Sequence, residues 1–199
     1  MARPPKSRKQ ADRQPESQLR IIGGRWRGRK IAFAPITGLR PTGDRLRETL
    51  FNWLQFHLPG ARCLDLFAGS GALGLEALSR GAAAVDFVEL DRGAAQTLRD
   101  QLKMLDADNG MVHNCPAQVF LGHPGEPCSV VFVDPPFAAN LWAETLSALE
   151  SSDHLAPGAL IYVESPRDLP LAVPDSWQLE KEKLAGQVKM QLFSRNQPV

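Results

Sequence analysis

From residue 61 onward, short apolar runs alternate with segments whose apolar positions recur every three or four residues. The runs at 61–67, 84–89, 129–133 and 159–164 are too short for helices and end at Gly, Pro or charged residues, so they predict buried strands. A weaker strand is expected at Met111–Asn114. Helical spacing predicts helices over 71–80, 92–105 and 139–150, and a short one near 117–121. Trp177 to Glu182 and Lys189 to Ser194 read as two strands joined through Ala185-Gly186. Repeated strand-then-helix units predict an α/β fold, a doubly wound and mostly parallel sheet, and the last pair predicts an antiparallel hairpin on its edge.

The first 60 residues follow another pattern. Residues 19–34 predict a small hairpin with Ile21-Ile22 and Ile31-Ala32-Phe33 as arms and Trp26 at the tip. A proline turn at 39–47 leads into a helix that Thr42 or Asp44 is placed to cap. Leu46, Leu50, Trp53 and Leu54 form its apolar stripe, and Pro59-Gly60 ends it. Residues 1–17 are rich in Pro, Gln and Ser and lack apolar periodicity, which predicts a disordered tail. The organisation expected is a tail at 1–17, a hairpin-and-helix extension at 18–60, and a main domain at 61–199.

Charge sharpens this division. Residues 1–47 hold 13 Lys and Arg against 3 Asp and Glu, whereas the other 152 residues hold 10 against 19. A basic extension on an acidic body points to a polyanionic partner. Arg25, Arg27, Arg29 and Lys30 decorate the hairpin, and Arg40, Arg45 and Arg47 cluster at the start of the helix. Guanidinium groups fit phosphates, and an exposed Trp26 indole would stack on a base, so these eight residues are the expected nucleic-acid contacts. A hairpin that simply packs Trp26 on the body is the alternative. No run of about 18 apolar residues is present, so no membrane contact is expected. The N-terminus lacks the apolar core of a secretory signal, and the three widely spaced cysteines suit a reducing compartment, so a cytoplasmic protein is expected. The scattered His and Cys residues predict no metal site.

The chemistry begins at DLFAGSGALG, residues 65–74. A strand, Gly69-x-Gly71-x-x-Gly74 and a helix form a unit that brings backbone N–H groups close to a ligand. Glu89 ends the next strand, twenty residues after Gly69, where a carboxylate accepts from ribose hydroxyls. Asp65 lies too early for that ribose and suits a cationic group such as an ammonium. Sugar plus ammonium describes S-adenosylmethionine better than a nicotinamide dinucleotide.

The strand at 129–133 runs into Asp134-Pro135-Pro136-Phe137. Two prolines stiffen the turn and remove two donors, leaving the Asp134 carboxylate and backbone carbonyls as acceptors beside the Phe137 ring. Acceptors next to a flat apolar face suit a planar substrate carrying an amino group. A purely structural turn is the competing reading of this tetrapeptide alone. An NAD-dependent enzyme leaves the motif unused, and a non-catalytic RNA-binding protein leaves Asp65 and Glu89 unused.

DLFAGSGALG, VELD at 88–91 and DPPF at 134–137 resemble the motifs of class I S-adenosylmethionine-dependent amino-methyltransferases. RIIGGRWRGRKI and LRPTGDRLRETLFNWL are similar to the bacterial 16S rRNA (guanine(966)-N(2))-methyltransferase family, and the likeness spans about residues 19–195. The resemblance implies a Rossmann-like sheet of seven strands and methylation of a guanine amino group in the small ribosomal subunit. Separately, a monomer is expected. The resemblance implies Asp134, Pro135 and Phe137 as the reacting site. It further implies cofactor contacts from Asp65, Phe67, Ala68, Gly69, Gly71, Glu89 and Leu90, with Asn114 and Ala117 bordering the adenine. Methylation of DNA adenine or of another RNA by the same fold remains the alternative.

Overall fold

The computed structural model describes residues 17–33 and 43–196. A hairpin of β1 (Ser17–Arg20) and β2 (Lys30–Phe33) precedes helix α1 (Asp44–Trp53). Next come β3 (Arg62–Asp65), α2 (Ala72–Ser79), β4 (Ala84–Val88), α3 (Arg92–Met104), β5 (Gly110–His113) and α4 (Ala117–Leu121). The chain continues through β6 (Cys128–Val133), α5 (Trp142–Ser151), β7 (Leu155–Pro166), β8 (Trp177–Ala185) and β9 (Val188–Arg195). The strands from β3 onward form one seven-stranded sheet in the order β5-β4-β3-β6-β7-β9-β8. Pairing is parallel as far as β7, and β9 then runs antiparallel to both β7 and β8. Both the doubly wound sheet and the antiparallel edge hairpin are as expected. Among the described residues, no helix is long and apolar enough to cross a membrane.

The central strands β4 and β6 are buried along most of their length because both faces of the sheet are covered there, whereas the edge strand β8 is largely exposed. Along β6, Val130 and Phe132 join one core, while Val131 and Val133 join the core on the opposite face. In α3, Ala94, Ala95, Leu98, Gln101 and Leu102 are buried at helical spacing, and the Asp91 carboxylate caps its start by accepting from Ala94 N at 2.8 Å. The hairpin contributes Leu19, Ile21, Trp26, Ile31 and Phe33 to the same core as α1 and α2. It is an integral wall of the body.

Boundaries shift where local geometry overrides periodicity. Helix α5 starts at Trp142 because Phe137–Ala139 form a 3-10 turn and Asn140 adopts a left-handed φ of 48°. β7 begins four residues early, at Leu155, and passes through Pro157-Gly158 with a shifted register against β6. Helix α1 is preceded by Gly43, with no side-chain cap, and Asp44 pairs with Arg47 at 2.6 Å instead. Thr42 lies outside the described residues. The first hairpin arm is β1, ahead of Ile21-Ile22, although Ile21 N still donates to Arg29 O at 2.9 Å.

A candidate cofactor and nucleic-acid site

β3 is flanked by β4 on one side and β6 on the other, with Asp65 opposite both Phe87 and Phe132. The strand order reverses here, so a crevice opens at the carboxyl ends of these three strands. Gly69 and Gly71 have φ of 53° and 77° in the turn between β3 and α2, values that disfavour a side chain. At Gly74 a Cβ would meet the Phe87 ring at 2.1 Å, so the third glycine lets α2 lie directly on β4.

The carboxylates shape this turn. Glu89 Oε2 accepts from Gly69 N at 2.7 Å, and Oε1 accepts from Asp91 N at 2.7 Å. Asn114 Nδ2 donates to the carbonyls of Glu89 and Leu90 at 2.8 and 3.0 Å, which ties the end of β5 to the loop after β4. Leu90 is 70% exposed on that loop, and Ala117 is buried at the start of α4. Phe67 is half-buried and Ala68 is buried, its N–H donating to Val88 O at 2.9 Å.

Asp65 lies against the same turn. It is 2% exposed, and Oδ2 accepts from Gly74 N at 3.0 Å. Burial pushes its pKa up to about 7, with the nearby Glu89 charge adding to the rise and the Gly74 bond opposing it. A carboxylate held in this way braces the glycine turn.

Beyond β6, Asp134 is half-buried, Pro135 is buried and Phe137 is 40% exposed. The Phe137 ring meets Trp142 edge-on, with centroids 5.6 Å apart. Trp142 is itself fixed, because its Nε1 donates to Glu164 O at 2.8 Å. Tyr162 is fully buried, and its hydroxyl donates to Glu164 Oε2 at 2.8 Å. Sequence reasoning missed Trp142, Tyr162 and Glu164. The one visible signal was an apolar strand that, like 84–89, ends in a glutamate.

The basic extension divides into two groups. Arg25, Arg27, Arg29, Lys30 and Arg45 are exposed, and Arg40 lies outside the described residues. Trp26 is only 6% exposed, its side chain buried in the core and its backbone N–H donating to Ser79 Oγ at 3.0 Å. It is therefore a core residue, and the expected stacking platform is absent because the indole is consumed in docking the hairpin. Arg47 is completely buried. Its guanidinium donates to Arg20 O at 2.9 Å and Asp44 Oδ1 at 2.6 Å and lies 3.9 Å from Glu76 Oε2, so it serves the fold and not a phosphate.

Residues 19–194 match the family model described as "Conserved hypothetical protein 95". The chain is 54% identical over 179 residues to the ribosomal RNA small subunit methyltransferase D of Escherichia coli (strain K12), covering 89% of this chain and 90% of the relative. The chain belongs to this family. Its counterpart of the same name in Haemophilus influenzae is 47% identical over 182 residues, with 89% and 94% covered. A solved structure from Escherichia coli, described as a methyltransferase, superposes with a TM-score of 0.84 at 53% identity, covering 92% of this chain and all of that one. Family membership extends across the hairpin, the glycine turn and the Asp134 loop together.

Proposed function

We propose that the chain is an S-adenosylmethionine-dependent methyltransferase of small-subunit ribosomal RNA, acting in the cytoplasm on the exocyclic 2-amino group of one guanine. The observation that carries this reading is the juxtaposition of two strand ends. β3 leads into the glycine turn joined to Glu89, and its neighbour β6 leads into Asp134, Pro135 and Phe137.

The residues fit the cofactor. Gly69 and Gly71 leave backbone close to the crevice, and the Glu89 carboxylate retains acceptor capacity for ribose hydroxyls beyond its two backbone bonds. Leu90 offers an exposed apolar face beside the Asn114 clamp for the adenine, and we assign Phe67, Ala68 and Ala117 to the same ligand. Asp65 holds the turn through Gly74. When bound, S-adenosylmethionine supplies an electrophilic methyl group on a sulfonium.

An aromatic amine is a poor nucleophile because its lone pair is delocalised into the ring. The Asp134 carboxylate and the Pro135 carbonyl accept its two N–H bonds and draw the nitrogen toward tetrahedral geometry. The same acceptors stabilise the positive charge that develops on nitrogen, and Asp134 or water takes the proton released afterwards. Phe137 stacks on a base turned out of its helix. The exposed arginines at 25, 27, 29 and 45 and Lys30 hold phosphates around it.

Small ribosomal subunits from cells lacking the protein test this reading. Mass mapping of their 16S rRNA is expected to show one guanine short of one methyl group, restored when the purified protein and S-adenosylmethionine are added. A complete methylation pattern in those cells contradicts it.

A further inference from the structure

β6 and β7 run parallel, with Phe132 opposite Tyr162 and Val133 opposite Val163. Asp134 follows the last residue of β6 and Glu164 is the next residue along β7, so this register brings two carboxylates side by side at the carboxyl end of β6. Tyr162 lies two residues before Glu164, on the same face of the sheet. Its hydroxyl bonds Glu164 Oε2, and its ionisation is pushed well up by burial first, then by the charges of Glu164 and Asp134. Both carboxylates therefore act on one phenol.

Glu164 is also joined to the aromatic wall. Its side chain is held by Tyr162, and its carbonyl accepts from Trp142, whose ring supports Phe137. The residue is 5% exposed, so a rigid, largely dehydrated carboxylate flanks the acceptors that the reaction uses. A carboxylate oxygen accepts hydrogen bonds, as Glu164 Oε2 does from the Tyr162 hydroxyl.

Guanine presents a second donor beside its 2-amino group, the N1–H. Adenine and cytosine present a ring-nitrogen lone pair at the equivalent edge. A buried carboxylate bonds the first and repels the others, and a polar site left without its partner discriminates strongly. We propose that Glu164 is the guanine-reading residue, its carboxylate accepting N1–H while Asp134 and the Pro135 carbonyl hold the amino group. This assignment rests on the methyltransferase reading above and adds the source of base selectivity.

The test uses reconstituted small subunits carrying guanine or 2-aminopurine at the target position. 2-Aminopurine keeps the amino group but has a lone pair at N1. Wild-type protein is expected to methylate guanine with a kcat/KM about 100-fold above that for 2-aminopurine. Glu164→Gln, whose amide donates as well as accepts, is expected to lose most activity on guanine while changing less than about threefold on 2-aminopurine. Should that variant fail to fold, Glu164→Asp, with the carboxylate drawn back by one methylene, is expected to show the same selective loss. Equal losses on both substrates, or a wild-type protein that treats them alike, overturn the role of Glu164. A wild-type protein inactive on the guanine subunits overturns the methyltransferase reading itself.

Discussion

Glu76 Oε1 accepts the backbone N–H of Gly23 at 2.8 Å, so the helix that begins at the glycine turn ends by gripping the N-terminal hairpin. Its other oxygen accepts from Ile22 N at 2.8 Å, and Arg80 Nε adds a bond to Oε1 at 2.7 Å. Ser79 completes the clamp, donating to Gly23 O at 2.6 Å. The cofactor turn and the basic surface are thus opposite ends of one short helix.

Removing Glu76 strands two backbone donors and leaves Arg47 and Arg80 short of a counter-charge. Glu76→Ala is expected to cost about 3 kcal/mol in urea unfolding, the scale for breaking a buried charge pair. In a refolded sample, KM for ribosomal substrate rises more than the dissociation constant of the cofactor. A cofactor affinity that collapses while KM stays constant places the coupling elsewhere.

Trp26 separates a core role from a stacking role. Trp26→Ala is expected to destabilise the protein by about 3 to 5 kcal/mol, as large buried aromatics do. A base-stacking residue weakens RNA binding and leaves the melting temperature untouched, the opposite pattern.

The exposed arginines act through charge. Replacing Arg25, Arg27 and Arg29 together with Ala leaves stability nearly unchanged and lowers the slope of log affinity against log salt by about two, roughly 0.7 to 0.9 for each phosphate no longer neutralised. Filter binding of 16S rRNA at several salt concentrations measures it. An unchanged slope moves the RNA-binding surface off the hairpin.

Asp134→Ala is expected to lower kcat by about a hundredfold or more, because it removes an acceptor aimed at developing charge. Cofactor affinity stays within about threefold, since this residue acts on the amine and not on the cofactor. Single-turnover methyl transfer and calorimetric cofactor binding read the two effects separately.

Asp65 makes stability depend on pH. The folded protein keeps its proton up to about pH 7, whereas the unfolded chain releases it near the ordinary aspartate value of 3.8. Folding therefore takes up a proton between these values, and this group's contribution to stability falls as pH rises through that window. Asp65→Asn preserves the shape and an acceptor for Gly74 N, so its melting temperature relative to wild type is expected to be clearly higher at pH 8 than at pH 5. A difference in melting temperature that stays constant across pH refutes the shift.

Much of this protein was readable from residue order. The strand-helix alternation, Gly69 with Glu89 twenty residues on, and Asp134 through Phe137 are local patterns, and local patterns survive without tertiary knowledge because backbone periodicity and turn chemistry create them. The partners of Trp26, Arg47 and Asp65 were not readable, because the groups that bury them come from other parts of the chain. Trp26 and Arg47 meet α2 residues far along the chain, Ser79 and Glu76. An arginine beside other arginines looks like a phosphate ligand until its depth is known. Glu164 gained meaning only when β7 was laid against β6. Sequence dictated which elements form, while packing decided which charges face solvent, because burial depends on contacts made across the fold.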